Sequence, residues 1–220
     1  MRVITVNRSV SESNDRDADR LRARMKAEGV LLINLMSAPG SGKTTFLSRT
    51  VTDLKEELRF AVMEADIASA VDAERMAALG VKAIQVHTSG MCHMDAGMTE
   101  ASLDAVDYRG CDVVFLENVG NLICPAEFDT GAEKKVMILS VPEGDDKPLK
   151  YPLMFRESDV LIVSKTDALP YFSFDMEALT ERARRLNPDI RIFPLSAKTG
   201  RGMKAWEDWL KEELAAFRQR

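Results

Sequence analysis

LLINLMSAPGSGKTTFL, residues Leu31–Leu47, is the stretch that decides how this chain folds. Its apolar first part has the composition of a buried strand, a Gly-rich loop follows, and the last residues open a helix. The loop Ser37-Ala38-Pro39-Gly40-Ser41-Gly42-Lys43-Thr44 fits the phosphate-binding loop pattern except at its first position, where Ser37 stands in place of Gly. Gly40 and Gly42 allow the backbone to curl so that its N–H groups point inward at phosphate oxygens. Lys43 brings positive charge to the β- and γ-phosphates, and the Thr44 hydroxyl is a ligand for Mg²⁺. The helix that starts here directs its positive end at the same anion. The expected phosphate cradle is Ser37, Pro39, Gly40, Ser41, Gly42, Lys43, Thr44 and Thr45.

Outward from the loop, apolar strands alternate with helical stretches. Strands are expected at 30–36, 59–66, 81–86, 112–120, 134–141, 159–165 and 190–196. Helices are expected from about 43 to 58, over 71–80, up to Val106, over Met176–Leu186 and over Met203–Phe217. This alternation predicts an α/β fold, a doubly wound and mostly parallel sheet flanked by helices, of the G-domain-like P-loop NTPase kind. Ligands then bind at the carboxyl ends of the strands. Residues 1–29 are read as a lead and a helix, and 30–220 as the P-loop domain. In the lead helix Asn14 is the expected N-cap and Gly29 the stop. Leu21 and Met25 are one turn apart and dock it, and its Arg side chains are expected to be a solvated face.

A length of 220 residues suits one domain with a proper core, and a net charge of −5 does not recommend nucleic acid as a partner. The opening MRVITVNRSV has no long apolar run, and no stretch approaches the roughly 20 apolar residues of a membrane span, so a cytoplasmic protein without membrane insertion is expected. Three Cys are too few and too oddly numbered for a disulfide framework, which leaves metal, redox or core roles.

The other chemistry-bearing residues fall at strand ends. Asp66 is placed to hold Mg²⁺ through water or to orient the attacking water, a helix N-cap being the alternative. Asp72 falls in a first switch region, or is a plain exposed carboxylate. Glu117-Asn118-Val119-Gly120 takes the place of the second acidic motif of P-loop NTPases, with Glu117 on Mg²⁺ and Gly120 turning its N–H to a γ-phosphate. Ser164-Lys165-Thr166-Asp167 matches Asn-Lys-x-Asp except at Ser164. The Asp167 carboxylate accepts from the N1–H and exocyclic amine of guanine, which adenine cannot match. Ser196-Ala197-Lys198 resembles the last guanine loop, so GTP is preferred over ATP. Lys43, Asp66, Asp72 and Glu117 are the candidate catalytic residues; no certain Gln or Arg finger is visible, so hydrolysis is expected to be slow. Cys92-His93 and Cys124 lie in loops at the same sheet edge. They are ligands suited to Zn²⁺ or Ni²⁺, or ordinary loop side chains. Three ligands do not close a four-coordinate site, but a symmetric dimer pools two sets. Cys111 is read as a core residue and His87 as structural.

At GMCHMDAGM, ENVGNLICPAEFDTG, LSVPEGDDKPLKYPLMF and SKTDALPYFSFD the chain resembles HypB, the GTPase family that assists nickel insertion into nickel-iron hydrogenase, within the SIMIBI class. The resemblance runs from about Asn14 to Leu210. It implies a GTPase that dimerises with GTP, holds a metal at the dimer interface, and works with a HypA-type chaperone on the hydrogenase large-subunit precursor. GTP/GDP, Mg²⁺ and Ni²⁺ or Zn²⁺ are the implied cofactors. The family's interface ligands fall on Cys92, His93 and Cys124, its phosphate loop on Ser37 to Thr44, its switch acids on Asp66 and Glu117, and its base readers on Lys165 and Asp167. Asp145, Asp146 and Lys147 belong to the signature as interface or switch contacts or as a solvated turn. Some members carry Cys-rich and His-rich segments that store nickel; no Cys or His precedes His87 here, so storage has no support. The rivals are a UreG-like urease nickel GTPase, a metal carrier with a structural nucleotide site, and a P-loop kinase or ATPase.

Overall fold

The computed structural model describes residues 7–66, 76–88 and 90–220. Within them the chain runs α1 (Asn7–Glu28), β1 (Leu31–Ser37), α2 (Lys43–Leu54), β2 (Phe60–Asp66), β3 (Lys82–His87), α3 (Ala96–Val106), β4 (Val113–Glu117), α4 (Cys124–Glu127) and β5 (Lys134–Ser140). It continues through α5 (Lys147–Lys150), α6 (Pro152–Glu157), β6 (Val160–Ser164), α7 (Met176–Leu186), β7 (Arg191–Pro194) and α8 (Met203–Gln219). The helix expected over 71–80 lies partly outside the described residues; 76–78 are helical.

All seven strands form one sheet, in the order β3-β2-β4-β1-β5-β6-β7. Every pairing is parallel, so "mostly parallel" becomes wholly parallel. β1, β4 and β6 are buried at every residue, because helices cover both faces. Leu31, Ile33 and Leu35 of β1 face one layer with Phe46 of α2 and Trp206 of α8. Leu32 faces the other with Leu21 and Met25 of α1 and Leu103 of α3. A second cluster on that side packs Met154 and Phe155 of α6 and Leu179 of α7 on Met137 and Leu161. Trp206 is fully buried and satisfies its indole N–H by donating to Thr50 Oγ1 at 3.0 Å.

The N-terminal helix departs from expectation in two ways. α1 begins at Asn7, so Asn14 is an interior residue and not its N-cap. The Asn14 side chain instead accepts from the Ala96 N–H, the first of α3, at 3.0 Å and donates to the Asp129 carbonyl at 2.9 Å. Asn14 thus serves a helix terminus, but that of a different helix. Its arginines are a solvated face only in part: Arg16 is exposed and donates to the Glu12 carbonyl of its own helix, whereas Arg20, Arg22 and Arg24 reach other elements. Arg20 and Arg24 pair with Glu100 and Asp104 of α3. Arg22 grips Asp129 with both terminal guanidinium nitrogens, at 2.9 and 2.8 Å. Leu21 and Met25 are buried as expected, at 0% and 1% exposure.

Burial pushes the Asp129 carboxyl up, but Arg22 and the Gly131 N–H outweigh it and hold the group below the usual carboxylate range. The unfolded value is the higher one, about 3.9. The tie therefore contributes fully above about pH 4 and is lost as pH falls through the folded value. We expect Asp129→Asn to cost about 1–3 kcal/mol at about pH 7 in urea unfolding and clearly less at about pH 3; an equal cost at both would contradict the tie.

Candidate nucleotide site and metal centre

The loop after β1 curls as the glycines demand. Gly40 and Gly42 both adopt positive φ, 74° and 98°, and Gly42 is the N-cap of α2. Ser37, at the position usually held by Gly, is fully buried. Its hydroxyl accepts from Lys43 Nζ at 3.0 Å and Ser41 Oγ at 2.6 Å, and donates to the Ala38 carbonyl at 2.8 Å. Ser37 therefore parks the lysine on the loop that it serves. Lys43, Thr44 and Thr45 line a polar cavity with Pro39, Gly40, Glu117 and Gly120. Thr44 Oγ1 donates to Glu117 Oε1 at 3.3 Å.

One acid in this cavity was not singled out from the sequence. Glu64 is 3% exposed, lines the same cavity and stands directly opposite Glu117 in the β2–β4 register. Its signal was a carboxylate in the interior of the apolar strand VMEAD, two residues before the terminal Asp66. Two carboxylates held beside a lysine and a threonine hydroxyl fit a divalent cation at the phosphates. Asp66 ends β2 opposite His87; its side chain, and the whole of Asp72, lie outside the described residues.

A second cavity adjoins the first, lined by Ser41, Thr45, Ser164, Lys165, Asp167 and Ser196 with Ala197 and Lys198. The Ser196 hydroxyl donates to Asp167 Oδ1 at 2.6 Å and holds that carboxyl below its usual value, against a small opposing effect of burial. Lys165 has a positive φ of 58°, uncommon outside glycine, and its Nζ donates to the Gly40 carbonyl at 2.7 Å. Ser164 stands where Asn would be usual in this motif. Its hydroxyl donates to the Ser41 carbonyl at 2.7 Å. The shorter side chain still braces the base-side loop against the phosphate loop.

The Cys-His residues converge. The ligand atoms of Cys92, His93 and Cys124 all lie within 4.8 Å of one another. Cys92 Sγ is 2.9 Å from Cys124 Sγ, both as free thiols, and 3.8 Å from His93 Nδ1. Thr88 turns the chain by donating to the Met91 carbonyl at 2.8 Å, and Asp95 caps α3 at the Met98 N–H, at 2.8 Å. Between these anchors Cys92 and His93 are held at the surface. The His93 ring stacks on Phe128 at 3.7 Å between centroids, a contact with no sequence signal. Burial pushes the His93 imidazole down, favouring the neutral form that binds metals. The Cys92 hydrogen bond and burial push the Cys124 thiol up. His87 is exposed and stands apart from this group, at the end of β3; Cys111 is buried, which raises its thiol. Asp145 is a structural tie, accepting from the Asp175 N–H at 2.8 Å and from Arg182, while Asp146 pairs with Lys150 and Lys147 lies over the Tyr151 ring.

Comparison with known proteins gives one consistent result. A family model described as CobW/HypB/UreG, nucleotide-binding domain, matches residues 31–194. The chain is 45% identical over 215 residues to the hydrogenase maturation factor HypB of Escherichia coli, covering 98% of this chain and 74% of that protein. It is 38% identical to the hydrogenase/urease maturation factor HypB of Helicobacter pylori, covering 96% of this chain and 88% of that one. The crystal structure of HypB from Helicobacter pylori in complex with nickel superposes with a TM-score of 0.88 at 38% identity, covering 93% of this chain and 96% of that one.

The Ser164 brace carries a prediction. Ser164→Ala removes one hydrogen bond and strands the Ser41 carbonyl, so nucleotide affinity should fall about 3- to 10-fold by equilibrium titration. The Cys-His cluster should be untouched; an unchanged affinity would show that the brace is idle.

Proposed function

The chain belongs to the CobW/HypB/UreG family, and within it to the HypB hydrogenase maturation factors, and from that premise we propose that it is a GTP-hydrolysing metallochaperone that delivers nickel. The observation that carries the proposal is the convergence of Cys92, His93 and Cys124, the first two on a loop tied through Met94 to Asn118 of the phosphate cavity. In this reading the Ser37–Thr45 loop cradles the phosphates and Lys43 offsets their charge. Thr44 and Glu117 hold Mg²⁺, joined by Asp66 and the paired carboxylate of Glu64. When bound, Mg²⁺ neutralises charge on the β- and γ-phosphate oxygens. Asp66, Asp72 or Glu117 orients water for in-line attack, giving GDP and phosphate. Lys165 packs over the base, Asp167 reads its N1–H and amine, and Ser196, Ala197 and Lys198 close the pocket. Without an evident Gln or Arg finger, turnover is slow and rises when two copies meet.

Nickel, or zinc, is the cargo. Each copy offers three donors, and a two-fold axis through the cluster would pool two sets. Met91 and Ile123, neighbours of the ligands, are 41% and 53% exposed, an apolar rim that a second copy would cover. A HypA-type chaperone and the hydrogenase large-subunit precursor complete the pathway of transfer in a cytoplasmic setting; among the described residues no helix is long and apolar enough to cross a membrane. A second reading, delivery to a urease precursor, is favoured by the double name of the Helicobacter pylori relative. Rescue of hydrogenase against urease maturation separates the two.

The deciding experiment is native mass spectrometry with nickel and either a Mg-GTP analogue or Mg-GDP. A metal-bearing dimer with the analogue, and release with GDP, is expected. Cys124→Ala should lose the metal and keep the nucleotide, whereas metal retained in a monomer would sink the shared site. Because Cys124 starts as a protonated thiol, nickel uptake should release protons and strengthen from about pH 6 to about pH 8. Asp167→Asn should weaken GTP about 10- to 100-fold and favour xanthosine triphosphate, whose carbonyl accepts where guanine donates. Equal GTP and ATP turnover in the unmodified protein would defeat the guanine assignment.

A further inference from the structure

Asn118 directly follows β4 and is fully buried. Its side chain reaches in three directions. Oδ1 accepts from the Met94 N–H at 3.2 Å and from the Val119 N–H at 2.9 Å. Nδ2 donates to Asn34 Oδ1 of β1 at 3.1 Å. Met94 follows Cys92 and His93 and is itself fully buried, so its position sets where that loop begins to enter the body.

The other end of the same short segment touches the nucleotide site. Asn118, Val119 and Gly120 line the phosphate cavity. Gly120 lies hard against the phosphate loop: a Cβ there would stand 3.0 Å from Pro39 Cγ and 3.1 Å from Pro39 N. Next in sequence, Asn121 donates to the Cys92 carbonyl at 3.4 Å, and Cys124 follows in α4. Close packing without slack transmits a displacement instead of absorbing it. One segment therefore meets Pro39 on one side, Met94 and Cys92 on the other, and carries the third ligand itself.

Resting on the reading above, we infer that Asn118 is the positioning residue that couples the two sites. It holds the Cys92-His93 loop in line with Cys124 for one placement of the 118–120 segment and releases it for another. The nucleotide selects between these placements through Pro39 and Gly120. Asn34 is the fixed point, because it belongs to the central strand. Coupling of this kind is reciprocal: the factor by which nucleotide changes nickel affinity equals the factor by which nickel changes nucleotide affinity.

The test is nickel affinity of the full chain, by chelator competition, with Mg-GDP and with a Mg-GTP analogue. The readout is the ratio of the two affinities, which a general loss of binding does not move. The unmodified protein should give a ratio of about tenfold or more, and Asn118→Ala should bring it to within about twofold of unity. A ratio retained in Asn118→Ala overturns the inference. A ratio near unity in the unmodified protein instead overturns the nucleotide-gated reading on which it rests. Should Asn118→Ala not fold, hydrogen exchange on the unmodified protein decides. The Met94 amide should change protection between the two nucleotides, and equal protection in both overturns the inference.

Discussion

The structure depends on β1 lying between β4 and β5 in a wholly parallel sheet. Parallel pairing on both sides aligns the carboxyl ends of these strands, and chain reversal between them opens a crevice there. The phosphate loop leaves β1, Glu117 ends β4, and the Ser164–Asp167 loop leaves β6, one strand beyond β5. None of these groups needs a dedicated scaffold. Each occupies the point where a buried strand runs out and polar atoms become tolerable.

That position has a cost, and the polar network at the strand ends offsets it. Ser37, Glu64, Glu117, Asn118, Ser164 and Ser196 are all buried. A buried polar group left without a partner costs about 1–3 kcal/mol. Here the hydroxyls and amides bond one loop to the next: Ser164 to Ser41, Ser196 to Asp167, Asn118 to Met94. The loops are consequently held against one another as well as against the sheet. A ligand that moves one of them works against its neighbours.

Much of this was legible in the residues. The seven strands and the helices after β1, before β4, before β7 and at the end follow the apolar pattern, the short α4, α5 and α6 were not expected from it, and the loop motifs sit at the strand ends that their order demands. The misreadings share a physical origin. Asn14, and Arg20, Arg22 and Arg24 of α1, read as a cap and a solvated face because local rules see only neighbours along the chain. Their partners, Ala96, Asp129, Glu100 and Asp104, are some 80 or more positions away in sequence. Glu64 was passed over because one carboxylate in a strand says nothing until the register sets it opposite Glu117. Phe128 offered no pattern at all, and only its stacking on His93 marks it.

By itself the sequence determined the alternation of strand and helix, the curl of the phosphate loop through Gly40 and Gly42, and the donor chemistry of Cys92, His93 and Cys124. These follow from composition, backbone freedom and side-chain type, which are local properties. Tertiary structure alone decided that Cys92 and Cys124, 32 positions apart, bring their sulfurs within 2.9 Å. It also decided that the Ser164 hydroxyl meets the Ser41 carbonyl, and that Asn118 joins the phosphate cavity to the Cys-His loop. Those are statements of distance between strand ends, and distance across a sheet is set by strand order and register, which no local pattern encodes.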